Sequence, residues 1–565
     1  MWKNLRSILV SFCTIIILLV SCVSPTSKMP ITTTKIPSPS ETQGTPSPQP
    51  SSPPIILPTS TLSPLPPSPT ATLLPYTTPV WFNSAVLYEI FVRSFADSDG
   101  DGIGDLKGIT QRMDYIQSLG ATAIWLMPIY PSPSVHGYDV TDYMAVNPDY
   151  GILADLQALV KETHARNMKV ILDFVPSHCS NEHPFFKDAY KNPTSPYSDW
   201  FVWTNDAHTT YAGFAGNETM PRFNHYNPVV VDYLSKAALY WLDLNNNQDY
   251  TDGIDGLRVD NATFPPTEFF IALRQIVKQA NPNALLLGEA WVNTPSDLAR
   301  FFPDQFDALF DFPFYALMAG DKDSIGDGLL SGKGFPVLAN TLFKDENKDF
   351  PPEAIPVRLL SNHDTNRIAS KVGVDPSRMR LAAALLAAMP GPVMVYYGEE
   401  IGMLGQKGGP PYWDNYRREP LDWYTSGGGP GQTTWFRPED SWNKPNDGIS
   451  VEEETNDPKS LLNYYRQVFK LRNQSPVFSL GNFNLLDLKV SGTGPWGFTR
   501  SYDGKLILAI YNFAGETRQV SFNIFPVSNG TMIDLLTDAS YPGINAGQAY
   551  TITLAASTAI WLGAK

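Results

Sequence analysis

Three acidic residues close or follow short apolar runs. Asp260 ends Gly256-Leu257-Arg258-Val259-Asp260, Glu289 ends Leu285–Glu289, and Asp364 follows Val357–Ser361 through Asn362-His363. A fourth acid, Asp173, lies near the end of Lys169–Phe174, with His178 shortly after it. Carboxyl groups gathered at one rim suit chemistry at an acetal carbon. One ionised group attacks, while a protonated one delivers its proton to the departing oxygen. A third acid nearby raises the proton donor's pKa, because like charges disfavour a further ionisation. Arg258 precedes Asp260 by two residues, on the same strand face, where it can hold that carboxylate ionised and aimed.

Such residues need a scaffold that ends many strands at one face. Eight apolar runs supply it: Val86–Phe91, Ala123–Met127, Lys169–Phe174, Gly256–Asp260, Leu285–Glu289, Phe306–Phe310, Val357–Ser361 and Val393–Tyr397. Amphipathic stretches lie between them, such as Ile109, Met113, Ile116 and Leu119 before Gly120, and Leu156, Leu159 and Val160 ending near Asn167. The pattern predicts an α/β fold, a (β/α)8 TIM barrel, with chemistry at the strands' C-terminal face. The long segment 176–231, rich in Pro, Asn and aromatics, reads as an excursion domain after strand 3. The barrel spans 81–470, and a helix at Ser460–Asn473 bridges it to the C-terminal segment. In that segment Phe483–Leu488, Trp496–Tyr502, Lys505–Asn512, Thr517–Phe522 and Tyr550–Trp561 predict an all-β sandwich over 471–565.

The 565-residue chain carries a net charge of −15, which disfavours a nucleic-acid partner. Its three cysteines leave only Cys179 in the body of the protein, so extracytoplasmic placement rests on the N-terminus. Lys3 and Arg6 precede an apolar run, Ile8–Val20, that is short for a membrane span. Leu19-Val20-Ser21-Cys22 resembles the lipobox of bacterial lipoproteins. The resemblance implies a signal peptide over 1–22, lipidation of Cys22, and a cell-envelope protein anchored to a membrane. Residues 23–80 contain 16 prolines among mostly Ser and Thr, and only Lys28, Lys35 and Glu41 are charged. That composition predicts a disordered, extended tether.

The segments Asp173–His178, Gly256–Asp260, Gly288–Trp291 and Asn362–Asp364 resemble the four short motifs of the α-amylase family, glycoside hydrolase family 13, in order and spacing. The resemblance covers roughly residues 84 to 565. It implies a retaining hydrolase of α-glucosidic, mainly α-1,4, bonds in starch-like glucans. Asp260 is then the nucleophile, Glu289 the general acid/base and Asp364 the transition-state stabiliser. Asp173, His178, Arg258, His363 and Arg367 become substrate contacts. His136-Gly137-Tyr138-Asp139 resembles the loop whose Tyr stacks beneath the sugar at the cleavage point and whose His reaches its hydroxyls. Three positions depart from common family patterns. Ser177 stands where an Asn often ligates calcium, Asn261-Ala262-Thr263-Phe264 replaces a Lys-His pair, and Val135 replaces an Asp typical of exo-acting members. Met220–Asn224 resembles a fifth motif of the branch between oligo-1,6-glucosidases and neopullulanases. Transglycosylation or α-1,6 action on the same residues are the alternatives. A non-catalytic glucan-binding lipoprotein is the remote one, disfavoured because all three acids are present.

Asp97-Ser98-Asp99-Gly100-Asp101-Gly102-Ile103-Gly104-Asp105 offers four carboxylates and the Ile103 carbonyl as hard oxygen donors, which suits Ca2+. It is not an EF-hand, since Gly108 stands where the bidentate Glu belongs. Family members with this loop bind calcium there. Asp243–Asp249 is a weaker second candidate.

Overall fold

The computed structural model describes residues 78–565, apart from 303, 491, 524–530, 544–548 and 565. The expected signal peptide, Cys22 and nearly all of the expected tether lie outside the described residues.

Eight parallel strands form one sheet: β1 Val86–Ile90, β2 Ala123–Leu126, β3 Lys169–Phe174, β4 Gly256–Val259, β5 Leu285–Gly288, β6 Ala308–Phe310, β7 Pro356–Val357 and β8 Val393–Tyr396. The order around the sheet is β8-β1-β2-β3-β4-β5-β6-β7. All eight fall within, or within one residue of, the runs read from the sequence. Their side chains are almost all buried, as expected for strands covered by helices on one face and a packed interior on the other. Closure between β7 and β8 passes through one residue. Arg358 bridges Val393, donates its N–H to Pro392 O (3.2 Å), and accepts from Met394 N (2.9 Å).

The surrounding helices form where the sequence supplies an apolar stripe and a cap. Thr267–Ala280 buries Phe269, Phe270, Leu273 and Val277 on one side. Asn227 caps Pro228–Leu242 by accepting from Val229 N, and Pro228 suits the first turn. That helix begins close to the end expected for the excursion, about 231. The excursion's short hairpin, Gly213–Phe214 with Asn217–Pro221, hangs over the rim. The stretch Ile109–Leu119 is two short helices, Leu106–Gln111 and Met113–Ser118, separated at Arg112.

Helix Leu461–Gln474 leads into the C-terminal β domain, which contains a six-stranded and a three-stranded sheet. Leu508, Ile510, Val520, Phe522, Ile552, Leu554, Ile560 and Leu562 fill the space between them. Tyr511 and Trp561, on the other face of the larger sheet, join the barrel's core. The run Tyr550–Trp561 proves to be two strands, Tyr550–Leu554 and Thr558–Ala564. The reversal between them includes Ser557 at φ 47°, with no Gly or Pro to announce it. Met532–Asp534 and Ser540–Tyr541 are short additional strands that alternation did not reveal.

Candidate active site

The C-terminal ends of β3, β4, β5 and the segment after β7 bring the predicted acids to one rim. Arg258, fully buried on β4, is their common cation. Its Nη1 donates to Asp173 Oδ1 (2.8 Å) and Oδ2 (2.9 Å), and to Asp260 Oδ1 (3.0 Å). Its Nη2 lies 2.5 Å from Glu289 Oε1, as an ion pair with poor hydrogen-bond alignment. Glu289 Oε2 accepts from the Asn261 amide (3.1 Å), which fixes the carboxyl plane. One guanidinium therefore serves three carboxylates, two of which face the cleft.

Asp364 has a separate set of cations. Arg418 Nη2 donates to Asp364 Oδ1 (2.8 Å), and His363 Nε2 lies 3.2 Å from Oδ2. The other nitrogen of His363 meets Glu89 Oε1 at 2.5 Å, both groups being completely buried. Burial opposes a charged imidazole, but Asp364 and Glu89 push His363 up to about 10. Desolvation alone would raise Asp364. His363, then Arg418 and Arg258, hold it well below the usual carboxylate range. Asp364 therefore stays ionised, a fixed negative charge at the cleft edge.

Asp260 behaves differently. Burial pushes its carboxyl well above the ordinary range against the pull of Arg258, and Glu289, Asp173 and Asp364 add to the rise. Burial likewise raises Asp173 to about 6 despite Arg258. The rise follows from three acids sharing a single cation out of water.

Tyr138 closes the floor. Its hydroxyl bonds Asp173 Oδ2 (3.1 Å) and His363 Nε2 (2.7 Å), and its ring lies over the His363 ring, centroids 5.5 Å apart. His136 stacks beside it at 6.1 Å. His178 takes Ser177 Oγ on Nδ1 at 2.7 Å. Its Nε2 is buried without a partner, as is Asp260 Oδ2. Burial pushes His178 down to about 3, so it is a neutral ring with one free nitrogen at the cleft. Buried polar atoms left open where a pocket begins are the ones a ligand's hydroxyls would satisfy.

The cleft has a volume of about 360 Å³, bounded by Tyr138, His178, Asp260, Glu289 and Asp364, by Phe214 of the hairpin, and by Pro411–Asn415 after β8. Arg367, expected among the substrate contacts, is not there. It is buried, donates to Arg417 O (2.9 Å) and Tyr397 O (2.6 Å), and packs over the Tyr396 and Tyr397 rings. Arg418 occupies the place at Asp364. Glu89, Arg418, Phe214 and residues 411–415 escape a reading of the sequence. Only Glu89, a charge inside an otherwise apolar strand, carries a signal there.

In the acidic loop, ligand-capable oxygens of Asp97, Asp99 and Asp105 all lie within 4.8 Å of one another. Asp101 falls outside that group and instead accepts from Ile103 N at 2.7 Å. Asp97 also accepts from the amides of Asp99, Gly100 and Gly102, so the loop is wound around its own carboxylate. In the second candidate loop, Asp243 accepts from Asn247 and Gln248 amides. No three acidic groups converge there among the described residues.

A closed eight-strand barrel with carboxylates on one guanidinium at its rim is the architecture of a glycoside-cleaving enzyme. The family model for the alpha amylase catalytic domain matches residues 89–481, and the chain belongs to that family. It is an enzyme acting on α-glucans. Alpha-amylase 3 of Dictyoglomus thermophilum is 32% identical over 465 residues, covering 78% of this chain and 87% of that protein. Neopullulanase 2 of Thermoactinomyces vulgaris is 28% identical, covering 86% and 79%. The crystal structure of alpha-amylase from H. orenii superimposes with a TM-score of 0.73 at 33% identity, covering 86% of this chain and all of that one.

Proposed function

We propose that the protein hydrolyses α-1,4 bonds of starch-like glucans with retention of anomeric configuration. The observation that carries this is Arg258 reaching Asp260 with one nitrogen and Glu289 with the other. Two carboxyls within reach of one guanidinium suit the closer spacing of a double-displacement mechanism rather than the wider gap that admits a water. Asp260 attacks the anomeric carbon and forms a glycosyl-enzyme. Glu289 gives its proton to the leaving oxygen, then takes one from the incoming water. Asp364, ionised by its own cations, stabilises the positive charge that develops on the sugar ring. Asp260 attacks as the carboxylate, a form that Arg258 favours against the burial that raises it. Proton NMR of maltoheptaose cleavage is expected to show the α-anomer of the new reducing end appearing first. Initial β-anomer would overturn the mechanism.

Transglycosylation is the second reading. Phe214 lines the cleft and lies 5.5 Å from Phe264, an apolar wall beside the acids' strands that favours a sugar acceptor over water. Products longer than the substrate at high maltooligosaccharide concentration would support it.

We also propose that Asp97, Asp99 and Asp105 hold Ca2+. Hard carboxylate oxygens, two of the three groups buried, suit that ion. The loop is stitched to a distant segment, Asp97 N to Gly431 O (3.1 Å) and Thr434 N to Gly102 O (2.8 Å), so the ion would brace both. Chelation by EGTA is expected to lower Tm by about 5 °C, restored by excess Ca2+, since a ligand at ~100 times its Kd stabilises by about 2.7 kcal/mol. An Asp97→Asn protein should show no such response. An unchanged wild-type Tm would count against the ion.

The N-terminal pattern supports an envelope lipoprotein anchored through Cys22. Labelled palmitate is expected to enter the wild type and not Cys22→Ala, with the variant released from membranes. Equal labelling would reject the anchor.

A further inference from the structure

Asp364 carries the charge-stabilising carboxylate, yet it stands on neither a strand nor a helix. It follows β7, a strand of two residues, on an irregular segment with no ladder to fix its main chain. Its N–H donates to Asn362 Oδ1 (3.0 Å), and its carbonyl is held from another loop by Arg417 Nη1 (2.7 Å). Arg417 is buried, and its five N–H groups, all that a guanidinium has, find acceptors. Nε reaches Asn366 Oδ1 (3.1 Å), Nη1 also reaches Asp414 Oδ1 (2.8 Å), and Nη2 reaches Asn366 Oδ1 (3.0 Å) and Asp323, with Lys322 O at 3.5 Å. The acceptors belong to three loops. Asp323 comes after β6, Asp364 and Asn366 after β7, and Asp414 after β8. The tie is returned, since Arg367 after β7 donates to Arg417 O (2.9 Å).

The neighbouring Arg418 holds the same acid differently. It donates to Asp364 Oδ1 (2.8 Å) and to His363 O (3.0 Å). Two consecutive arginines thus divide the task, one fixing the charge of the side chain and the other the position of the main chain. Ion pairing alone is a weak reason for Arg417. Its two acids, Asp323 and Asp414, have side chains 40% and 32% exposed, where such pairs contribute little. The buried, directed contacts go to the Asp364 carbonyl and to Asn366. Asp364 and Asp414 line the cleft, and Arg417 stands behind them.

We propose that Arg417 is a positioning residue for the reaction, one that never meets the glucan and sets how far the Asp364 carboxylate reaches into the cleft by holding that residue's main chain. The inference rests on the glycosidase reading of the cleft, and the experiment separates the two. Asp364 acts on charge in the transition state, so misplacing it slows turnover without loosening ground-state binding. A displacement of about 1 Å costs about 100-fold. Arg417→Ala is therefore expected to lower kcat on maltoheptaose about 100-fold, with KM within about threefold of wild type. The same loss should appear with α-maltosyl fluoride, whose departing fluoride needs no proton, because the defect lies at Asp364 and not at Glu289. In an Asp364→Asn background, Arg417→Ala should cost less than about threefold on the fluoride, since its effect passes through the acid already removed. Arg417→Lys keeps the charge and guards against a folding loss. It is expected to melt with the wild type and still lose about tenfold in kcat, because one ammonium cannot hold Asp364 O, Asn366 and Asp323 together. A kcat of Arg417→Lys within about twofold of wild type, a change in KM in place of kcat, or equal losses with and without Asp364 overturns the positioning role. A wild type that turns over neither maltoheptaose nor the fluoride would instead overturn the glycosidase reading itself.

Discussion

Asp260→Asn is expected to reduce kcat/KM on maltoheptaose by about 10⁴-fold or more, with the protein still folded. Removing a nucleophile leaves only binding and charge stabilisation, and losses of this order are seen in enzymes whose groups act as a unit. Folding survives because the change is isosteric and takes one negative charge from a site where Asp173, Asp260 and Glu289 share Arg258. Tm should therefore stay level or rise, a sign that function at this position costs stability. In the wild type, attack needs Asp260 ionised, and burial raises its carboxyl. The acid limb of kcat/KM should then lie above the ordinary Asp value of about 3.9, with activity lost as pH falls through it. Rates and melting curves on the same preparations check both parts. Activity of the variant within tenfold of wild type would remove Asp260 from its role.

Arg258→Met is the more destructive change. It leaves three carboxylates around an empty centre, and breaking a buried ion cluster by deleting one partner costs about 3–5 kcal/mol. Melting should drop by about 10 °C. The penalty should be largest at neutral and alkaline pH and shrink towards pH 4, where the acids take up protons and no longer need the cation. Arg258→Lys should rescue little, because a single ammonium cannot reach Asp260 and Glu289 with separate nitrogens. Arg418→Met provides the contrast. Arg418 meets Asp364, which keeps His363 and is 37% exposed at its side chain, so stability should change far less. Equal Tm losses in the Arg258 and Arg418 variants would refute the shared-cation account.

Much of the scaffold is legible in the sequence because barrel strands are short, continuous apolar runs, and the acids at their ends interrupt those runs. Asp173, Asp260, Glu289 and Asp364 share a rim for that reason alone. Glu89 is harder. It sits inside the run Val86–Ile90 as a buried charge, and its partner His363 lies 274 positions away, visible only when the barrel closes. Arg367 resembles a cleft residue through nearness in sequence to Asp364. Its side chain runs inward to the Tyr397 carbonyl, while Arg418 arrives from a loop with no periodicity to read. Residues 411–415 are placed by turns, and turn geometry leaves little trace in hydropathy. The acidic loop shows both sides. Alternating Asp and Gly mark it, yet only the folded turn shows that Asp101 leaves the cluster to bind Ile103 N.

The ring closes through Arg358, which also pairs with Asp311 and Glu346 through its side chain. Every other neighbouring pair of barrel strands has at least two paired positions, and this seam has one. Asp364 and Trp413 come after the two strands that flank the seam, while Asp260 and Glu289 stand away from it on β4 and β5. A thermal opening that starts at the thinnest join would carry the charge-stabilising acid away from the nucleophile while the Arg258 cluster stayed whole. Heat inactivation would then run ahead of global melting, and the durability of the enzyme would be set by one arginine remote from the chemistry.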